Sequence, residues 1–195
     1  MAYQTYTTKG YICGSFTRNT SDKYYFIFTR DAGMVVASAR SVRDEKSKLR
    51  YGLQDFSLSD VSLVRGRHDW RIVGVEPIEN FYFNAIDREA RAVLLRVTAL
   101  LRRFIRGEET HRALYAYTED GLSLLRTGTQ DLSHIEAVLT LRILYELGYV
   151  ASDTTLLPVL ETSRAREAIT YVADNEEVMQ AMQRATNRAF EVSQL

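Results

Sequence analysis

Between positions 40 and 50 the chain reads Arg40-Ser-Val-Arg43-Asp-Glu-Lys46-Ser-Lys48-Leu-Arg50, five basic and two acidic residues in eleven. Each Lys or Arg that neutralises a phosphate releases condensed counterion, so such a run suits a nucleic-acid backbone and gives an affinity that salt erases. Arg65, Arg67 and Arg71 form a second cluster and are expected to support the same contacts. A solvated loop has the same composition, so the cations alone do not decide. Flat rings beside them favour nucleic acid, because bases stack on aromatic side chains. Tyr11, Phe16, Tyr24, Tyr25 and Trp70 supply such rings from β-like runs, although alternation alone does not say which of them face a core.

No comparable set exists for catalysis. His68, His111 and His134 lie far apart, with no carboxylate at ligand spacing, and read as ordinary histidines. Cys13, the single cysteine, excludes an intramolecular disulfide and a multi-cysteine zinc site. Its place inside a β-run makes it a small core or barrel-wall residue. The glycines form neither a phosphate loop nor a dinucleotide fingerprint. The expectation is a protein that is not an enzyme and carries no cofactor or metal.

The elements that hold the basic clusters are legible from periodicity. Runs over 7–18, 24–29, 34–39, 53–65 and 69–76 are rich in Tyr, Phe, Thr and Val and are separated by turn signals. The turns are Asn19-Thr20-Ser21-Asp22, Arg30-Asp31-Ala32-Gly33 and Gly66-Arg67-His68, with Gly33 free to adopt positive φ. In the second run Tyr24, Phe26 and Phe28 fall on one side and Tyr25, Ile27 and Thr29 on the other. Five strands in this span suit an OB-type barrel, with a five-stranded SH3-like barrel as the competitor.

After Pro77 the apolar period lengthens to between three and four residues. Ile86, Ala90, Val93, Leu94, Val97, Leu100, Leu101, Phe104 and Ile105 make one helical stripe, capped by Asn84 or Asp87 and ended by Gly107. A second helix is expected over 109–125, weakened by Asp120-Gly121, and a third opens at Asp131 or Ser133. That third helix is apolar on more than one side, which predicts a central place in the helical core. Residues 149–162 read as a connection, and 163–173 and 176–192 as further helices. The fold class is therefore α+β, an OB-type barrel over 1–78 followed by an all-helical domain over 79–195.

Charge divides along the same line. The whole chain is neutral, yet residues 1–78 hold 12 Lys/Arg against 8 Asp/Glu, and the remainder holds 13 against 17. The asymmetry is one composition signal of a basic binding face on the barrel, although a solvated surface varies as much by chance. No signal-like N-terminal segment or long uncharged apolar run is visible, and a cytoplasmic location is expected.

Three segments resemble the RecO family. The strand–turn–strand segment Tyr25-Phe-Ile-Phe-Thr-Arg30-Asp-Ala-Gly33-Met-Val-Val-Ala-Ser-Ala-Arg40 resembles part of that family's N-terminal barrel. Lys46-Ser-Lys48-Leu-Arg50-Tyr-Gly-Leu53-Gln54-Asp-Phe56 resembles its basic K-S-x-L-x-x-x-L-Q-x-F stretch. Leu141-Arg142-Ile-Leu144-Tyr-Glu-Leu147-Gly148-Tyr149 is similar to its helix ending in L-G-Y. The resemblance implies a recombination mediator in DNA repair that binds single- and double-stranded DNA and anneals complementary strands. It also implies partners: single-stranded DNA-binding protein, and a RecR-like protein with which the recombinase RecA is loaded.

Many family members carry a four-cysteine zinc module, and this chain has no cysteine after Cys13. A zinc role is therefore not carried over. For the acidic, apolar tail of single-stranded DNA-binding protein, Arg102, Arg103, Phe104 and Arg142 are the expected docking residues, offering cations at the rim of apolar surface. The alternative is an interaction adaptor with an OB barrel, a helical docking domain and little DNA affinity.

Overall fold

The period-two alternation of the N-terminal runs sends one face of each strand inward. In the computed structural model, which describes residues 4–17, 22–42, 44, 46–66 and 69–192, these runs form five strands. They are β1 (Thr5–Thr17), β2 (Asp22–Thr29), β3 (Gly33–Arg40), β4 (Ser57–Arg65) and β5 (Trp70–Asn80). They close into a barrel in the order β1-β2-β3-β5-β4, with β3 and β5 parallel and the other pairs antiparallel. Closure depends on β1, which pairs with β4 through Thr5–Tyr11 and with β2 through Gly10–Thr17. A bulge between Ile12 and Gly14 bends the strand from one partner to the other. This Greek-key closure is that of an OB barrel, and it sets the SH3-like alternative aside.

Ile12, Tyr25, Ile27, Val35, Val61, Leu63 and Ile72 fill the barrel. The alternation expected in the second run holds for Tyr25 and Ile27, which enter the core, while Tyr24 and Phe26 lie on the other face and Phe28 is also buried. Cys13 is buried in β1.

Most strand ends fall within two residues of expectation, and two boundaries differ by more. The fourth strand begins at Ser57 and not at Leu53, because Leu49–Gly52 forms a helical turn, α1, and Leu49 and Leu53 both pack on the barrel core. Four residues apart on this turn, the two leucines lie one above the other toward the core. The fifth strand runs past Pro77 to Asn80, because the proline lies beside a bulge where Leu58 pairs with Glu79 and Ser59 with Pro77. Asn80 Oδ1 then accepts from the N–H groups of Tyr82 (3.0 Å) and Phe83 (3.1 Å) and starts α2 (Phe81–Asn84).

The chain divides into two compact units, 1–84 with 105–112, and 85–104 with 113–195. The expected division after Ile78 falls inside β5. Residues 105–112 belong to the barrel unit because they bond to its β2–β3 hairpin. There the Met34 N–H donates to the Gly107 carbonyl at 2.9 Å and the Thr110 hydroxyl donates to the Asp31 carbonyl at 2.8 Å.

The helical unit contains α3 (Arg88–Phe104), α4 (Arg112–Ser123) with a 3-10 turn over Leu124–Arg126, α5 (Leu132–Glu146), α6 (Leu157–Leu160), α7 (Ala165–Ala173) and α8 (Glu176–Val192). Asp87, not Asn84, caps α3: its Oδ1 accepts from the Ala90 N–H at 2.8 Å. Helix α4 starts after Glu109 and continues through Asp120-Gly121, where a Cβ on Gly121 would lie 2.5 Å from Leu139 of α5. The glycine is there for close helix approach and does not end the helix. Asp131 caps α5 through the Ser133 N–H at 2.7 Å. The hydroxyl and N–H of Ser133 hold the Asp131 carboxyl below its ordinary pKa. As its all-round apolar sequence predicts, α5 is central and packs on α3, α6, α7 and α8.

Candidate nucleic-acid interface

The outer face of β1, β2 and β3 carries the rings that alternation leaves out of the core. Phe16 lies opposite Tyr24 across the β1–β2 ladder, and Tyr24 lies opposite Ser38, which pairs with Arg71 of β5. The Phe16 and Tyr24 rings stack with centroids 5.4 Å apart at 19°, and Phe26 meets Phe16 at 5.3 Å. Phe16 keeps 39% of its surface exposed, so the stack ends in solvent as an open platform. Tyr25, one residue along, points the other way; burial, with the Asp55 carboxylate as the lesser cause, pushes its phenol up to about 12. Tyr11 is also buried, edge-on to Phe81. On this face the rings turned away from the core are therefore Phe16, Tyr24 and Phe26. Sequence alone does not single out Phe26, because the run Tyr24–Phe28 is apolar or aromatic at every position.

Beside the platform is a groove of ≈ 200 Å³ lined by Asp22, Tyr24, Ser38, Arg40, Gly66, Asp69 and Arg71. Arg40 and Arg71, far apart in sequence, meet here because β3 and β5 run parallel, with Ser38 beside Arg71. Both guanidinium groups are on exposed residues without an ion-pair partner among the described residues. Asp22 and Asp69 balance them, so the groove itself has no net charge.

Lys46, Lys48 and Arg50 follow Arg40 on the segment that joins β3 to β4, all exposed and without an ion-pair partner among the described residues. Their excess of positive charge is therefore open to a phosphate. Arg43 and Arg67 lie outside the described residues, as do His68 and the turn residues Asn19, Thr20 and Ser21. Arg65 is differently placed. Its Nη1 donates to both Glu108 oxygens at 2.8 Å, and its guanidinium lies 4.8 Å from the centroid of the Trp70 ring. The Trp70 Nε1–H donates to the same carboxylate at 2.9 Å.

Of the four residues expected at a partner surface, Arg103 and Phe104 lie together and Arg142 is engaged elsewhere. Arg142 is a structural tie: it donates to the carbonyls of Leu160 and Thr162, pairs with Glu146 at 2.7 Å and covers the Tyr117 ring at 4.6 Å. Phe104 is buried against Tyr149 and Phe190. Arg102 is exposed, and Arg103 lies 5.6 Å over the Phe104 ring. Arg103 also lines a ≈ 600 Å³ groove between α3, α5 and α8, with Leu100, Met179 and Phe190 as its apolar wall. No group of His, Cys, Asp or Glu suited to a metal ion occurs among the described residues. No helix among them is long and apolar enough to cross a membrane.

Residues 1–81 match the family model described as Recombination protein O N terminal. A DNA repair protein RecO from Alkaliphilus metalliredigens is 26% identical over 80% of this chain and 63% of its own length. One from Rubrobacter xylanophilus is 29% identical over 74% of this chain and 58% of its own. One from Dehalococcoides mccartyi is 30% identical over 56% and 44%. The chain thus spans about half of the length of the curated relatives it matches. The matched segment ends one residue after β5, so the family model covers the whole OB barrel whose outer face carries the platform and groove. With the relatives extending the similarity beyond the barrel, the chain is similar to RecO DNA repair proteins over the barrel and into the helical part.

Proposed function

We propose that the chain is a cytoplasmic DNA-binding recombination mediator that acts by binding and not by catalysis. Single- and double-stranded DNA lie along the outer face of β1, β2 and β3, where complementary strands are held for annealing, and the bound complex helps load the recombinase. The observation that carries this reading is the Phe16–Tyr24–Phe26 ring cluster, exposed at Phe16 and half-buried at Tyr24 and Phe26, beside Arg40 and Arg71 on a face that OB barrels use for oligonucleotides. Rings stack bases, and Arg40, Arg71, Lys46, Lys48 and Arg50 follow the backbone, with Arg43 and Arg67 on the adjoining segments. Annealing needs contacts that tolerate any sequence, and stacking with phosphate neutralisation is of that kind.

The test is anisotropy of a labelled single-stranded oligonucleotide with Phe16→Ala, Tyr24→Ala and the double variant. A weakening of about 1–3 kcal/mol per stacked base is expected. Wild-type affinity in the double variant rules the platform out.

A partner role is supported by the groove between α3, α5 and α8. The acidic tail of single-stranded DNA-binding protein fits its apolar wall with Arg103 at the rim, and a RecR-like protein acts on the assembled complex. Titration with a tail peptide, and with the peptide lacking its terminal aromatic residue, tests the docking. Equal affinity for both removes it and leaves the barrel reading standing. Strong peptide binding without DNA binding favours an adaptor.

A further inference from the structure

Glu108 sits on Arg65 and Trp70 as a phosphate does on a nucleic-acid site. Its two oxygens both accept from Arg65 Nη1 at 2.8 Å, and one accepts from the indole N–H of Trp70 at 2.9 Å. The contact is made in solvent, with the Arg65 and Glu108 side chains 57% and 44% exposed. Water therefore reaches the ion pair, and a competing anion can as well. Arg65 and Trp70 are paired across the β4–β5 ladder, and the residues next to them in the loop, Gly66 and Asp69, line the groove that holds Arg40 and Arg71. Gly66 N–H donates to the Asp69 carbonyl at 2.8 Å, which ties the base of this loop.

We propose that Glu108 is an intramolecular latch that mimics a phosphate, and that a DNA strand lying in the groove displaces it, so that Arg65 takes a backbone phosphate and the Trp70 indole is released. The inference rests on the DNA-binding reading above and adds to it two groups, Arg65 and Trp70, that are masked in the free protein. A carboxylate and a phosphate oxygen compete for the same donors, because a guanidinium binds both through the same N–H geometry. An exposed ion pair is weak enough for that exchange. Residues 105–112 are held to the β2–β3 hairpin by the Gly107 and Thr110 bonds, so the carboxylate stays near its site when displaced and closes it again when the strand leaves.

The experiment measures binding of labelled oligo-dT over a salt series for wild type, Glu108→Gln, Glu109→Gln, and Arg65→Gln combined with Glu108→Gln. Glu109→Gln removes the same charge one residue away without touching Arg65. Glu108→Gln is expected to bind about two- to fivefold tighter than wild type, the range that removal of an exposed ion pair allows. The slope of log affinity against log salt steepens by about 0.7 for one more neutralised phosphate. The Glu109 variant shows neither change, and the double variant loses the gain.

Trp70 is the sole tryptophan, so its emission reports the latch in the unmodified protein. Oligo-dT shifts that emission in wild type, and the shift is smaller in Glu108→Gln. Wild-type binding that Glu108→Gln leaves unchanged or weakens overturns the latch while the DNA reading stands. So does an equal gain in Glu109→Gln, or wild-type binding with unaltered Trp70 emission. Absence of binding in every variant removes the DNA reading and the latch together.

Discussion

Gly33 lies directly beneath the main chain of Glu109: a Cβ added there would come within 2.1 Å of the Glu109 carbonyl oxygen and 2.9 Å of that of Gly107. The residue also holds φ at 60°, where side chains other than glycine are strained. Gly33→Ala is therefore expected to destabilise the barrel by about 2–4 kcal/mol, because the obstacle is backbone and cannot rotate away. Urea unfolding measures it, and a change below about 0.5 kcal/mol shows that the linker shifts freely.

Asp31 joins the same linker to the barrel. Its carboxylate accepts from the Thr8 hydroxyl at 2.9 Å and pairs with Arg30 at 3.2 Å and Arg112 at 3.0 Å. Burial alone would raise its pKa; the Thr8 hydroxyl and the two guanidinium groups outweigh it and hold the carboxyl below its usual value. A group with a depressed folded pKa contributes stability that is present above its unfolded pKa and lost as pH falls through the folded one. Asp31→Asn should thus cost about 1–3 kcal/mol at neutral pH, and the difference from wild type should shrink as pH falls below about 4. A difference that grows on acidification contradicts this assignment.

The basic segment gives a third expectation. Lys46→Glu, Lys48→Glu and Arg50→Glu together should weaken oligonucleotide binding and flatten its salt dependence, by about 0.7 in slope for each single-strand phosphate that is no longer neutralised. All three side chains are exposed, so the melting temperature should change little. Affinity equal to wild type at low salt identifies the segment as a solvated connection.

Arg142 should act on stability and not on binding. Its side chain is 11% exposed, and the guanidinium serves two carbonyls, Glu146 and the Tyr117 ring. Arg142→Met leaves those carbonyls and the carboxylate without their donor and should cost the helical unit about 3–5 kcal/mol. DNA affinity measured below the melting transition should be unaltered; a selective fall in DNA binding in a fully folded variant excludes the structural role.

A last expectation concerns metal. Cys13 is the sole cysteine and is buried, and the described residues contain no ligand cluster. Elemental analysis of the purified protein should find no stoichiometric zinc, and chelator should leave its melting temperature unchanged.

Period-two alternation, the glycine-marked hairpin and the switch to helical spacing after Pro77 are local properties, and they determined the order of strands and helices. The stripe from Ala90 to Phe104, the Asp131 cap and the central place of α5 were legible for the same reason: a helix face is written into residues three and four apart. The basic run over 40–50 was likewise visible as composition. Closure of the barrel was not, since pairing of β1 with β4 and of β3 with β5 joins residues distant in the chain. Those pairings brought Arg71 beside Ser38 and Arg40 and left Phe16, Tyr24 and Phe26 outside while Tyr25 went in. Tertiary structure also decided which cations are engaged. Arg65 and Arg142 look like their exposed neighbours in sequence, but Glu108 lies 43 residues from the first and Leu160 18 residues from the second. A charge's partner is set by the fold at long range, and no local pattern encodes it.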